Sequence, residues 1–286
     1  MKKEPIVDLE PRDFRHRVHP NITQRIQGGK GDFSISCDFL GFPFSRFKGT
    51  MRFNHPRPPF ARIFVLESGQ VVLKTPEGRH LLKSGNIYFL PPEQAFEASY
   101  LRAKIKGFHL YLSDGLGFPV GTGIKGVPAL SDSRVFASIM AAVESGEPAL
   151  YSAAVFQAVL QFCRPLFPEL EARAALSPTY RKVLEMLAGA NPESLRVGEI
   201  AKTLRISRAA LSKGFQRQFK MPLKRFILDS ALRRAKSLLL ETDMSASEIA
   251  ASLGYREAGH FQRFFRAEVG MTPLGYRGNR KTEHPL

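Results

Sequence analysis

The sequence predicts a multidomain α+β protein, with an N-terminal antiparallel β-barrel or sandwich, following helices, and a C-terminal all-α part. Three observations lead there. Between Phe33 and Leu112 short apolar runs alternate with Gly- and Pro-containing turns, as in a small antiparallel β structure. From Thr179 onward the apolar spacing is helical. Positive charge collects in that helical part: residues 178–286 carry 20 Lys+Arg against 10 Asp+Glu, out of 42 and 26 in the whole chain. A chain of 286 residues is expected to form two domains, placed here at 1–168 and 178–280.

Taken in order, residues 1 to about 30 are polar ("RDFRHRVHP", "QGGKGD") and read as a loose arm. "FARIFVL" (60–66) and "QVVLKT" (70–75) read as two strands joined by a turn at Glu67-Ser68-Gly69. "RHLL", the turn at 83–86, "IYFL" and the alternating "RAKIKGFHLYL" (102–112) continue the β pattern, and Gly115 to Gly126 reads as a loop. Helices follow at Ser133–Ser145, with Ser131 or Asp132 as N-cap, and at Ala149–Phe167. Val155, Val159, Phe162 and Leu166 fall on one stripe of the second helix, either domain core or a helix–helix dimer seam. The polar "PELEARAALSP" (168–178) reads as a linker between domains.

Composition narrows the function classes. A net charge of +16, carried largely by arginine, points to a polyanionic partner, nucleic acid first. Cys37 and Cys163 are too few and too far apart in sequence for a disulfide framework or a zinc knuckle. The start "MKKEPIVDLEPRDF" lacks the apolar run of a signal peptide, and no stretch approaches 18 apolar residues, so a cytoplasmic protein without a membrane partner is expected.

The stretch "EIAASLGYREAGHFQRFFRAEVGMTPLGYR" (248–277) breaks a helix and restarts it with cations. Ser245 and Glu248 have capping-box spacing, and Ile249 and Leu253 are the apolar pair of a short helix. Gly254 ends that helix, Tyr255-Arg256 turn, and Glu257 opens the next. There Phe261, Phe264 and Phe265 face a core, leaving Arg256, Gln262, Arg263 and Arg266 outward. Short helix, glycine turn and amphipathic basic helix describe a helix-turn-helix. A single such unit could equally be a helical hairpin with solvated charges. The pattern occurs twice, however: "SLRVGEIAKTL" (194–204), a turn at 205–207 and "RAALSKGFQRQF" (208–219) repeat it. In this copy Ile200 and Leu204 are the buried pair, Ser207 the cap, and Leu211 and Phe215 the inner face. "LKRFILDSALRRAKSLLLET" (223–242) reads as one helix linking the two units.

Residues 178–280 resemble the DNA-binding domain of AraC/XylS-type bacterial transcription regulators. The resemblance is carried by "LRRAKSLLLETDMSASEIAASLGY" (232–255), "HFQRFFRAEVGMTPLGYR" (260–277) and "EIAKTLRISRAALSKGFQRQF". It implies a sequence-specific DNA-binding regulator, an activator, with a cupin-like N-terminal effector and dimerisation domain. Implied partners are double-stranded DNA, a second copy of the chain, RNA polymerase and a small-molecule effector; no cofactor is implied. The family's groove-facing positions fall here on Arg208, Ala209, Ser212, Lys213 and Arg217, and on Arg256, Ala258, Gly259, Gln262 and Arg263, with Arg266 beside them. Arg263 is the best guanine reader, while Lys213 could read a base or hold a phosphate. Three positions depart from the family pattern. Arg205 and Lys220 stand where glycine is usual, and Gly214 replaces an apolar residue, so looser packing is expected in the first unit.

In the β-rich part Phe44, Phe64, Phe96 and His109, with Arg46 and Arg62 as anion partners, could line an effector pocket. The alternative is a cupin-type metalloenzyme fused to a basic helical domain. Against it, His55, His80, His109 and Glu97 form no tight ligand cluster in sequence. No nucleophile elbow or phosphate loop is present either, so no enzyme activity and no metal are expected. An N-terminal domain that binds another protein instead of a small molecule also fits.

Overall fold

The computed structural model describes residues 21–29, 31–41, 44–46, 50–55, 60–175, 178–189, 197–219 and 221–278. The chain divides into two compact units, one up to Ala174 and one from Ala175 to Arg280. The first is built on two long antiparallel strands, β5 (Ala61–Thr75) and β8 (Phe96–Asp114), paired along most of their length. β1 (Asn21–Ile26) and β2 (Phe33–Gly41) extend the sheet beyond β8, and β3 (Phe44–Arg46) and β4 (Thr50–His55) also pair with β8. β6 (Gly78–Leu82) and β7 (Asn86–Leu90) pair with β5, and β9 (Ala129–Leu130) with β7.

β5 is one strand where the sequence suggested two and a turn. Gly69 takes φ +81 and Arg102 opposite takes φ +44, and the β5–β8 register slips there. This is a bulge: it bends both strands while letting the pairing continue. A Cβ on Gly69 would sit 2.2 Å from the Arg102 carbonyl oxygen, so only glycine lets the strands approach. β1 is a second difference, because residues 21–26 pair with β2 from Asn21↔Asp38 to Ile26↔Phe33 instead of hanging loose. Only Ile22 and Ile26 pack there, so the strand exists through its partner. The "RDFRHRVHP" portion of the arm lies outside the described residues.

The start of β5 is buried on both faces, which is why "FARIFVL" is apolar at every position but Arg62, itself buried. Ile63 and Val65 join one core with Phe108, Leu110 and Leu112; Phe64 and Leu66 join another with Val71, Leu73, Tyr88 and Phe96. The first core is covered by α1 (Ser133–Glu144) and α2 (Pro148–Cys163). Asp132 is the cap of α1, accepting from the Arg134 and Val135 amides. Val155, Val159 and Phe162 are buried in that core and Leu166 packs on it, so the apolar stripe is interior to the domain. Cys37 and Cys163 sit in the same core as free thiols, and burial pushes Cys163 up to about 12.

Residues 164–166 make one 3-10 turn and lead into α3 (Phe167–Ala174), where the sequence suggested a linker. The helix docks because its polar side chains have fixed partners. The Glu171 carboxylate accepts from the Gly31 amide, and Arg173 Nη1 lies 2.9 Å from Asp114 Oδ2. Asp114 also accepts from the Leu116 and Phe118 amides. Burial still raises its carboxyl above the ordinary range, an effect that those bonds and Arg173 oppose.

The second unit is helical: α4 (Pro178–Gly189), α5 (Val197–Thr203), α6 (Arg208–Phe219), α7 (Leu223–Glu241), α8 (Ala246–Ser252), α9 (Ala258–Val269) and α10 (Pro273–Gly278). α5 packs on α6 and α8 on α9, while α7 touches α6, α8 and α10.

Gly69→Ala should destabilise the sheet unit by about 2–3 kcal/mol, the sum of a left-handed Cβ and a backbone collision. Thermal unfolding followed by circular dichroism should show a midpoint lowered by roughly 5 °C or more. An unchanged midpoint would mean that the bulge does not depend on glycine.

Candidate nucleic-acid interface

The two helix pairs are built by one local rule. Leu204 donates to the Ile200 carbonyl, Arg205 to Lys202 and Ile206 to Ala201; Leu253 donates to Ile249, Gly254 to Ala251 and Tyr255 to Ala250. Both sets form a Schellman turn, closed by a residue in the left-handed region. That residue is Gly254 at φ +86 in the second pair, but Arg205 at φ +54 in the first. The departure of Arg205 from glycine therefore leaves the turn intact and imposes the left-handed backbone on a residue with a Cβ, a cost of about 1–2 kcal/mol.

The next helix starts differently in the two pairs. α6 is capped by Ser207, whose hydroxyl accepts from the Ala210 amide at 3.0 Å. α9 begins after Glu257, which makes no side-chain cap; its carboxylate lies 3.6 Å from His260 Nε2 instead. The second connection holds one extra residue, Arg256, which is exposed. Upstream, α8 has the expected capping box. Ser245 N donates to Glu248 Oε2 at 2.7 Å and Glu248 N to Ser245 Oγ at 3.2 Å, holding the Glu248 carboxyl below its usual range.

Buried residues then set the outward face. Leu211 and Phe215 in α6 correspond to Phe261 and Phe265 in α9, all four fully buried. Phe264 is half-buried, stacked on Tyr255. Phe226 packs on Phe215 and Tyr276 on Phe265, ring centroids 5.7 and 5.5 Å apart, so each pair includes the start of the helix after it. Opposite these contacts, helical spacing puts Ala209, Lys213 and Gln216 in one exposed row and Gly259, Arg263 and Arg266 in the other. Arg208, Arg217 and Gln262 are exposed on the flanks; Ser212 and Ala258 are half-buried. Gln216, in the register of Arg266, is the position that the sequence reading missed; only the buried pairs fix that register. Among the described residues no carboxylate pairs with Arg208, Lys213, Arg217, Arg256, Arg263 or Arg266. The second row thus carries two arginines and the first a lysine beside Gln216, flanked by Arg208 and Arg217, and each row has a small residue that allows close approach.

Gly214 does not loosen the first pair. A Cβ there would fall 1.6 Å from the Tyr180 hydroxyl, so the α4 side chain fills the space that a larger residue would take. Tyr180 packs edge-on against Phe215 and Phe219. Lys220, the third departure, lies outside the described residues.

In the sheet unit four of the six pocket candidates come together. The Arg62 guanidinium, 2% exposed, lies over the rings of Phe96 at 5.0 Å and Phe60 at 5.2 Å. Phe64 meets Phe96 edge-on, and His109, the β8 partner of Arg62, stacks on Phe60. Phe44 and Arg46 lie on β3, paired with Lys106 and Lys104, but their side chains lie outside the described residues. His80 bonds to Thr75 instead of joining His109, and the side chain of His55 lies outside the described residues. Among the described residues no three His, Cys, Asp or Glu side chains form a metal-binding group, and no helix is long and apolar enough to cross a membrane.

A family model described as a helix-turn-helix domain matches residues 200–279. The Msm operon regulatory protein of Streptococcus mutans is 29% identical over 113 residues, covering 40% of this chain and 41% of that protein. The HTH-type transcriptional activator RhaR of an Enterobacter species is 29% identical over 96 residues, 34% of each chain. The chain spans less than half the length of the curated relatives it matches. Among solved structures, ToxT of Vibrio cholerae is 15% identical with a TM-score of 0.46, covering 83% of this chain and 97% of that one. The C-terminal unit thus carries a helix-turn-helix domain similar to those of AraC/XylS-type regulators.

The two left-handed residues give opposite expectations. Arg205→Gly should stabilise the helical unit by about 0.5–1 kcal/mol, the relief of strain less the entropy of glycine. Gly254→Ala should cost about 1–2 kcal/mol. Urea unfolding read by helical circular dichroism should move the midpoint up in the first and down in the second. The same sign in both would contradict the shared turn.

Proposed function

We propose that the protein is a sequence-specific DNA-binding transcription regulator, an activator, which reads double-stranded DNA with two helix-turn-helix units, α5–α6 and α8–α9. The observation that carries this is the repeat itself. Two short helices end in the same left-handed turn, and each launches a helix with buried aromatic or aliphatic anchors and an exposed row, which carries Lys213 in the first and Arg263 and Arg266 in the second. A solvated hairpin has no reason to build that surface twice around one connecting helix. α7 has 19 residues, about 28 Å at 1.5 Å per residue, close to one turn of DNA at roughly 34 Å.

In this reading the rows divide the work. Arg263 and Arg266, with Lys213 and Gln216, reach base edges, where a guanidinium can engage guanine bidentately and an amide adenine. Ala209, Ala258 and Gly259 permit close approach, and Ser212 and Gln262 add polar contacts. Arg208, Arg217 and Arg256 hold phosphates and fix register. The domains proposed are 1–168 and 178–280. The first is a cupin-like effector and dimerisation domain, supported by its antiparallel sheet with a core on each face. Its effector site is proposed at Arg62, Phe64, Phe96 and His109, a buried cation among aromatic rings that suits a small anionic or aromatic molecule. A homodimer acting with RNA polymerase in the cytoplasm completes the reading, and no catalytic step is assigned.

The test is binding of the full chain to DNA that it selects from a random pool. Affinity should fall steeply with salt, with a log–log slope of about −0.9 per phosphate contact. Arg263→Ala should cost about 1–3 kcal/mol and relax preference at one base pair, while Arg217→Ala should weaken all sequences alike. A flat salt response, or an Arg263→Ala variant with the wild-type motif and affinity, would overturn the proposal.

A further inference from the structure

One side chain joins the two helix pairs. Arg225 stands in the first turn of α7, and its neighbour Phe226 is anchored on Phe215 in the core of the first pair. Its guanidinium places Nη1 3.0 Å from Glu268 Oε2, at the end of α9, and Nη2 2.8 Å from Asp229 Oδ1 one turn along α7. Asp229 holds the guanidinium plane, so the reach to Glu268 is directed by a two-sided fork. At the other end of α7, Arg277 of α10 donates to the Leu239 carbonyl at 3.1 Å and to the Met244 carbonyl. α9 and α10 are therefore tied to α7 near both of its ends.

We propose that Arg225 is a positioning residue that sets the spacing at which the second exposed helix meets DNA relative to the first; this rests on the two-helix DNA reading above. The ion pairs are half-exposed, with side chains 48%, 23% and 24% accessible for Arg225, Asp229 and Glu268. Pairs so exposed contribute little to global stability. Their effect falls on the angle of α9, because Glu268 follows Arg266 by two residues and any tilt there moves Arg263 and Arg266 together. Spacing between the two DNA segments is what such a tilt changes; the preferred base at each segment stays with the rows themselves.

The experiment uses full-length wild type, Arg225→Ala, Glu268→Ala and the double variant, with DNA selected from a random pool by wild type. Matched probes carry one base pair inserted or removed between the two protected segments. Wild type should lose about tenfold in affinity on the altered spacings, and either single variant less than about threefold, as specificity ratios. The double variant should behave like each single one, since both changes break the same link. Melting temperatures should stay at the wild-type value. Wild type that tolerates every spacing, or variants that discriminate as wild type does, overturns the positioning role. So does a uniform affinity loss on all probes with a lowered melting temperature, which assigns Arg225 to the fold alone. A wild type that selects no sequence at all overturns the underlying DNA reading instead.

Discussion

Arg205 and Gly254 close their helices with positive φ, at +54 and +86, and everything exposed on α6 and α9 depends on that reversal. A helix that must stop within two turns leaves carbonyls unpaired, and the left-handed residue returns the chain so that its own amide and the next one satisfy two of them. The same reversal fixes the direction in which the following helix leaves. Once that direction is set, Leu211, Phe215, Phe261 and Phe265 have one way to be buried, and the outward rows follow by helical geometry. The first pair achieves this with an arginine, at a cost in backbone strain, while Tyr180 fills the space beside Gly214. What looked like two weaknesses of the first pair are one strained turn and one exchange of volume between helices.

Positive φ governs the sheet unit as well, with a different outcome. At Gly69 and Arg102 it makes a bulge, so that two strands bend together where a turn would have ended one of them. The bend lets β5 and β8 serve two cores, one under α1 and α2 and one on the opposite face. Arg62 and His109 lie on that opposite face, beside Phe60, Phe64 and Phe96. The aromatic faces over the buried Arg62 guanidinium offset part of the cost of removing it from water.

Charges in the molecule divide by burial and by partner. Asp114 and Arg173 are structural: their contact fixes α3 on the sheet, and the cost of burying Asp114 is offset by two amides and a guanidinium. Arg225 and Arg277 tie helix to helix. The cations of the outward rows have no carboxylate partner among the described residues, which leaves their charge available to an external anion. Positive charge concentrated in one unit thus separates into a set that holds helices together and a set that faces outward.

The sequence by itself determined what depends on local spacing. The capping box at Ser245 and Glu248, the span Arg208–Phe219 of α6, the break at Gly254 and the apolar anchors of both pairs were legible, because each is decided within a few residues. Tertiary structure decided what depends on a partner distant in the chain. β1 exists because β2 lies beside it, and α3 because Asp114 and Gly31 receive its side chains. The 67–69 segment is a bulge because Arg102 yields opposite Gly69. The α2 stripe is core because the sheet covers it. Gln216 entered the outward row only when the buried pairs fixed the register between α6 and α9, and Arg225 showed its reach only when α7 and α9 were placed together. Local propensity selects a helix or a strand, but a long-range contact forms only after the chain has paid the entropy of bringing its ends together, and no short window of sequence records which contact repays it.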